Sequence, residues 1–500
     1  MRDPRPVKLP LALLLVGGLL GACQGSGPGV VVTVAPAEVA LPPGADQTFT
    51  AQVTGAADTA VSWSVTGGTV EGVGGTVTYH APVAPGSYEV KATSVADPTR
   101  QAAAAVTVVT PGGTLWLRPF GTDSTEAALA VAVDLDGNVI AVGYTEGALE
   151  GENAGESDAY VQKRAADGDV LWTRQFGTSA NEGAYGVAAD AAGNVLVAGT
   201  TDGALAGANA GGEDAFVRKY GPDGGVLWTR QFGTADADAA RAVTLDAAGN
   251  VLVAGYTFGS LTDDAGGLVD AFVRKYDPNG DIVWTRQFGG VDRYYANGVA
   301  ADAAGNVIVV GYTEPSNTDV STANAFIRKY DQNGDFVSFI ELDTGADEKG
   351  LGVAVEAAGS VLVVGITEGA LASDNAGGLD AFVSKYTAGG DEVWTRQFGT
   401  NSDDYALAAA VDAAGNVLVA GYTFGNLAGD ADGAVHAFVR KYGPDGMVAW
   451  TRQPAAGTFS AAAGVAVDSA RNVLFSGFSD ATLEDGGSAS GSALVGKLAP

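Results

Sequence analysis

A five-residue motif, Asp-x-x-Gly-Asn, returns at near-constant intervals through most of this chain and limits its fold more than any other feature. It begins at Asp134, Asp190, Asp246 and Asp302, continues as Glu356-Ala357-Ala358-Gly359-Ser360, returns at Asp412 and ends with Asp468 to Asn472, in steps of 56, 56, 56, 54, 56 and 56 residues. A second marker lies 18 residues before each: Trp116, Trp172, Trp228, Trp284, Ser338, Trp394 and Trp450. A third follows each motif by 25 residues, or by 23 in the fourth copy: Ala159, Ala215, Ala271, Ala325, Ala381, Ala437 and Ala493. Three markers agree on seven copies. A fixed period of this kind means one supersecondary unit that buries its apolar surface only by stacking on its neighbours.

Each copy contains four strand-like runs. In the second copy these are Gly186 to Asp190, Asn194 to Thr200, Ala215 to Tyr220 and Val226 to Phe232. The links Asp190-Ala191-Ala192-Gly193-Asn194 and Gly221-Pro222-Asp223-Gly224-Gly225 read as compact hairpin turns, because Asp bonds its own backbone and Gly or Asn accepts positive φ. Four strands repeated seven times predict an all-β, seven-bladed β-propeller with four-stranded blades. Its low-bulk first strand suits the axis, and its Trp-bearing strand suits the rim. The array opens with a lone Trp strand, Thr114 to Phe120, and closes on a third strand, Ala493 to Leu498. An N-terminal outer strand is therefore expected to complete the last blade.

These repeats carry a family resemblance. Asp214-Ala215-Phe216-Val217-Arg218-Lys219-Tyr220, Leu227-Trp228 and Gly193-Asn194-Val195-Leu196-Val197-Ala198-Gly199 resemble the bacterial seven-bladed β-propeller (SBBP) repeat family over residues 114–500. The resemblance implies a secreted or surface-anchored protein and no shared enzymatic activity.

The chain opens with Arg2, Arg5 and Lys8, then an apolar run from Leu9 to Leu20, then Leu20-Gly21-Ala22-Cys23. This reads as a secretory signal, residues 1–22, too short to count on as a spanning helix. The quartet resembles the lipobox of bacterial lipoproteins, which implies a lipid on Cys23, residues 23–29 as a tether, and a chain anchored to a membrane of the cell envelope, facing the periplasm or exterior. Residues 30–110 alternate short β-branched segments with Gly, Pro and Asp, predicting a small β-sandwich with Trp63 at the centre of its core. Around Trp63-Ser64-Val65 and Gly86-Ser87-Tyr88-Glu89-Val90 it resembles bacterial Ig-like domains, for which a stalk is the expected role.

Composition narrows function by exclusion. Hydrophobic residues at 46% and charged residues at 17% exclude a disordered chain, and a net charge of −31 disfavours nucleic acid and anionic lipid surfaces. A monomer binding a surface protein or polysaccharide is expected. Only two histidines, His80 and His436, occur in the sequence, which removes most nucleophile–base and zinc schemes. His436 reads as a variant of the aspartate seen at Asp214, Asp270 and Asp380.

The long loops that begin at Thr145, Thr201 and their equivalents are acidic and Gly/Asn-rich, the chemistry Ca²⁺ favours, although no defined calcium loop is spelled. Asp158, Asp214, Asp270 and Asp380 are the metal candidates. The recurrent lysines, Lys163 to Lys497, read as structural partners of the motif aspartates. The fourth copy departs from the rest: its long loop is shorter, Ser338 replaces Trp, Glu341 follows, and Arg293-Tyr294-Tyr295 precedes it, which marks those three as candidate binding residues. The expected function is non-catalytic envelope binding or scaffolding. A calcium-dependent adhesive or carbohydrate-binding protein and a polysaccharide-active enzyme stand as alternatives.

Overall fold

In the computed structural model, residues 29–262, 267–316, 322–428, 435–454, 456–483 and 491–500 are described. Cys23 and the signal segment lie outside them. Among the described residues every regular element is a strand, and the strands form nine four-stranded sheets in two compact units, one reaching to about Thr107 and one beginning at Val108.

The first unit pairs Val31–Ala35, Asp46–Thr54, Thr76–His80 and Thr69–Glu71 in one sheet, and Glu38–Leu41, Gln101–Val108, Gly86–Ser94 and Val61–Val65 in the other. Alternate residues of each long strand face inward, as a period of two requires. The aromatic core is Phe49 and Tyr79, both fully buried and in edge-to-face contact at 6.1 Å. Trp63, expected at the centre, is only half-buried. Its indole N–H needs an acceptor and donates to Gly74 O at 2.8 Å, which holds the ring at the margin of the core.

Among the described residues the second unit consists of seven four-stranded antiparallel sheets, six of them with their strands in sequence order. The second is representative: Glu182–Ala189, Val195–Thr201, Asp214–Tyr220 and Val226–Phe232. The seventh comprises Ser460–Val467, Val473–Ser479 and Ser492–Leu498, completed by Thr114–Phe120 from the start of the unit, which pairs antiparallel with Ser492–Leu498. Chain order therefore supplies six sheets, and the two ends together supply the seventh.

Neighbouring sheets pack face to face, so middle strands are covered on both sides and read as near-continuous apolar runs. In Val195–Thr201, Val195 and Val197 join a core with Ile140 and Val142 of the first sheet, while Leu196 and Ala198 join one with Val251 and Val253 of the third. The same alternation returns round the unit, and the first and seventh sheets share a core of Trp116, Val131, Val139, Leu474 and Val495. Each of Phe216, Phe272, Phe326, Phe382 and Phe438 is completely buried. Truncating any one of them to Ala is worth about 3–5 kcal/mol.

Polar side chains fix the turns. Asp190 Oδ1 accepts from Ala192 N and Asn194 N at 3.0 and 2.9 Å, and its Oδ2 takes Asn194 Nδ2 at 2.8 Å. The same Oδ2 meets Lys219 Nζ at 3.1 Å, and all seven motif acids have this lysine. Burial alone would raise the Asp134 carboxyl, but Lys163 and Asn138 outweigh it and hold it below its ordinary range. At the rim, Trp172 Nε1 donates to Pro222 O at 2.9 Å and Arg174 Nε to Gly224 O at 2.9 Å, latching one sheet to the hairpin of the next. Gly224 has φ +79°, and a Cβ there would come 2.9 Å from the Trp172 ring, so this hairpin position admits glycine on two counts.

Candidate functional site

Each sheet has two unlike ends. One carries the tight hairpins, two in each of the first six sheets and one in the seventh, held by the Asp–Lys pairs and, in the second, third, fourth and sixth sheets, by Trp–Arg latches. The other carries the long loops and the crossings between sheets, and the candidate aspartates sit there.

Asp158, Asp214, Asp270 and Asp380 are each the first residue of a third strand, and all are buried. They lie in four different sheets and do not converge. Each clamps its own long loop: Asp158 Oδ2 accepts from Ala154 N at 2.9 Å and from Gln175 Nε2 at 2.8 Å, while Gln175 Oε1 accepts from Leu149 N at 2.7 Å. Gln231, Gln287 and Gln397 serve Asp214, Asp270 and Asp380 in the same way. The fourth sheet keeps this bond with its polarity reversed, Asn324 Nδ2 donating to Glu341 Oε1 at 3.1 Å. The departure at Glu341 is thus a compensated exchange. His436 occupies the equivalent register opposite Thr423.

Sequence reasoning missed the partners of these aspartates. A residue one sheet further on, 24 positions along the chain, faces three of them: Glu182 for Asp158, Asp238 for Asp214 and Asp404 for Asp380, while Tyr294 holds the same repeat position relative to Asp270. That constant interval was the available signal. At Gly233 a Cβ would overlap Asp214 Oδ1 and lie 3.0 Å from Asp238 Oδ2, and Gly399 is enclosed in the same way by Asp380 and Asp404. At Gly177 it would overlap Asp158 Oδ1 and lie 2.6 Å from Glu182 Oε2. Only glycine fits between two carboxylates brought this close.

Three of these interfaces therefore bury two acids together. The longer Glu182 satisfies itself, its Oε1 accepting from Thr178 Oγ1 and Thr201 Oγ1 at 2.8 and 2.6 Å and its Oε2 from Thr178 N at 2.6 Å. Asp238 and Asp404 reach their threonines through Oδ2 alone, and their Oδ1 atoms, like those of Asp214 and Asp380, have no hydrogen-bond partner. Burial pushes the Asp238 and Asp404 carboxyls up, threonine hydrogen bonds oppose this, and the facing Asp214 and Asp380 add to it. Two carboxylates per interface fall well short of the six to eight oxygens Ca²⁺ takes, and among the described residues no group of three or more His, Cys, Asp or Glu is placed to hold a metal.

Arg293, Tyr294 and Tyr295 open the first strand of the fourth sheet, Arg293–Ala301. They do not form one patch. Tyr294 stands where other sheets carry the acid and packs on Phe288 and Phe326, at 6.2 and 5.9 Å between ring centroids. Tyr295 stacks on Tyr312 at 5.0 Å and meets Tyr256 edge-on at 5.0 Å. Tyr256 in turn accepts a hydrogen bond from Arg241 Nη2 at 2.7 Å, and the Arg241 guanidinium lies 4.4 Å from the Tyr185 ring centre. Lys349 Nζ sits 4.6 Å over Tyr312 and 3.4 Å from Glu314 Oε1. These half-buried side chains form a run of aromatic and cationic groups across four sheets at the long-loop end.

Three segments of the chain, 171–205, 227–261 and 283–314, match the model of a β-propeller repeat family, SBBP. An uncharacterized WD repeat-containing protein of Acanthamoeba polyphaga mimivirus is 30% identical over 113 residues, covering 20% of this chain and 8% of that protein. The regulatory protein FlaEY of Caulobacter vibrioides is 31% identical over 131 residues, covering 24% and 14%. The chain thus spans a small part of the length of these relatives. Among solved structures, the WD40 domain of Neurospora crassa Pan2 aligns over 76% of this chain and 97% of its own at 10% identity, TM-score 0.43. The β-propeller domain of the Trilobed protease from Pyrococcus furiosus aligns over 74% and 93% at 7% identity, TM-score 0.41.

Proposed function

We propose that this β-propeller repeat protein is a non-catalytic binding or scaffolding lipoprotein of the bacterial cell envelope. In this reading residues 114–500 form a seven-bladed propeller, residues 30–110 an Ig-like stalk, and a lipid on Cys23 the membrane anchor. The partner is a surface protein or polysaccharide, met by the long-loop end of the ring. Sequential pairing within the sheets, packing of each on the next and the core shared by the first and seventh support the propeller reading.

One observation carries the functional reading: the repeats vary in the first strands at the long-loop end, where the position holds a buried Ala or Gly in some sheets and a half-buried Tyr or Lys in others. The sequence Trp-Thr-Arg-Gln-Phe recurs unchanged from Trp172, Trp228, Trp284 and Trp394. The residue that follows the first-strand position paired with the threonine (a serine in the last sheet), by contrast, runs Ala127, Gly183, Ala239, Tyr295, Lys349, Tyr405 and Ala461. Structural positions repeat because every interface makes the same demand, whereas a recognition surface is free to differ from sheet to sheet. The buried acids serve as loop clamps, which supports a role without catalysis.

The test uses a soluble chain, residues 29–500, and its Tyr185→Ala, Tyr295→Ala, Tyr405→Ala triple variant, incubated with envelope fragments. The proposal expects retention on the fragments to fall about tenfold with the thermal transition held within a few degrees. Undiminished retention by a folded triple variant would overturn it.

A further inference from the structure

We propose that the cavity between the first and second sheets, at the long-loop end beside the axis, binds an organic cation ending in an ammonium or guanidinium group. This refines the long-loop reading above and rests on it. The cavity measures about 310 Å³, within the range of small-ligand sites, and is lined by Tyr144, Glu146, Glu156, Gly183, Tyr185 and Glu213, among others. No lining residue is basic. Tyr144 and Tyr185 are half-buried and Glu146 and Glu156 are exposed, so aromatic faces lie within a carboxylate rim.

The chain itself shows what such a place holds. Tyr312-Thr313-Glu314 in the fourth sheet is the repeat equivalent of Tyr144-Thr145-Glu146 in the first. There the next sheet supplies Lys349, whose ammonium lies over Tyr312 and pairs with Glu314. The equivalent of Lys349 beside Tyr144 is Gly183, since each is the second residue of its strand, after Glu348 and Glu182. Glycine brings no cation; Gly183 lines the cavity, and a Cβ there would lie 3.0 Å from the Tyr185 hydroxyl, so a longer side chain would have to pass the edge of that ring. One interface further on, Arg241 repeats the chemistry. Its guanidinium lies 4.4 and 5.3 Å from the Tyr185 and Tyr256 ring centres, and Glu213, which also lines the cavity, is among the charges that favour its protonated form. Two other interfaces are thus filled by the chain's own cations, each on a tyrosine face with a carboxylate near. The first interface keeps the tyrosine and the carboxylate and lacks the cation. A ring face beside a carboxylate favours a delocalised or alkyl-bearing cation over a hydrated metal ion.

The cation can arrive free, as a polyamine, or on the basic side chain of a partner, and the test separates the two. Cadaverine, agmatine and a glycine peptide with one central lysine are titrated into the soluble chain, residues 29–500, by NMR or calorimetry, with 1-pentanol as the neutral control. The inference expects saturable binding of at least one cation, none of pentanol, and weakening as salt rises. Glu146→Gln and Tyr144→Ala should each cost about fivefold in affinity, and Gly183→Lys, which restores the lysine of the fourth interface, should abolish binding. Binding of the small amines indicates a free ligand, and binding of the peptide alone indicates a partner's side chain. Absence of saturable binding, or binding that Glu146→Gln and Gly183→Lys leave unchanged, overturns the inference. Glu146 is exposed, so its variant keeps the fold and the result stands if Gly183→Lys fails to fold. Envelope retention that persists while cation binding is absent removes this inference and leaves the long-loop reading in place.

Discussion

At the scale of single residues, the most consequential arrangement is the pair of acids buried between sheets. Asp214 and Asp238 each leave Oδ1 without a partner, and the Asp238 carboxyl is raised above its ordinary value of 3.8, chiefly by burial. The sign follows from linkage. A group whose pKa is raised in the fold contributes stability that is complete below the unfolded value and lost as pH climbs through the folded one. Near neutrality the ionised Asp238 carboxylate therefore opposes the fold. Asp238→Asn keeps an oxygen for Thr234 and offers an N–H to the unsatisfied Asp214 Oδ1. Urea unfolding at pH 7 is expected to show a gain of about 1 kcal/mol, shrinking toward pH 4. A loss at pH 7 would show that the second negative charge is needed. The aspartates on the third strands were legible in the sequence as a recurring set, but their surroundings were not: an exposed acidic loop and a buried loop clamp have the same composition, and only pairing with the next sheet distinguishes them.

At the scale of strands and turns, the hairpins were readable because their geometry is local. The Asp-x-x-Gly-Asn turn needs φ > 0 at its fourth position, and Gly193, Gly249, Gly305 and Gly415 supply it. The last copy puts Arg471 there at φ 66°, exposed to solvent. Arg471→Gly is expected to stabilise the second unit by about 1 kcal/mol, the left-handed cost relieved less the entropy glycine adds to the unfolded chain, and a thermal melt would read this as a rise of a degree or two. An unchanged or lower transition would mean that the arginine side chain compensates for its backbone. Tyr294 and Tyr295 were harder to read. Adjacent residues on a strand point to opposite faces, so one packs between sheets on Phe288 and the other joins the tyrosine run. Trp63 was misplaced for a related reason: size suggested the core centre, while the N–H decided the margin.

At the scale of the whole second unit, near-identical units leave little room for error in the fold, since one correctly read repeat is read seven times. The pairing of Thr114–Phe120 with Ser492–Leu498 joins the two ends of the unit, and the strand also places Trp116 and Phe120 in the core shared by the first and seventh sheets. Starting the chain at residue 121 would expose Ser492–Leu498 as an edge, and the expected result is a lower, broader melt with concentration-dependent association. A sharp transition at the original temperature would show that the strand does not hold the unit together. What seven near-equal repeats could not disclose is where function lies, because the proposed recognition surface is made of the positions that break the repeat. The measurement that tests this most directly is photo-crosslinking in cells carrying the full chain, with a benzoylphenylalanine in place of exposed Phe258 at the long-loop end or of Asp223 at the hairpin end. The account predicts a discrete crosslinked partner from position 258 and none from 223; capture from 223 alone, or equally from both, would contradict it.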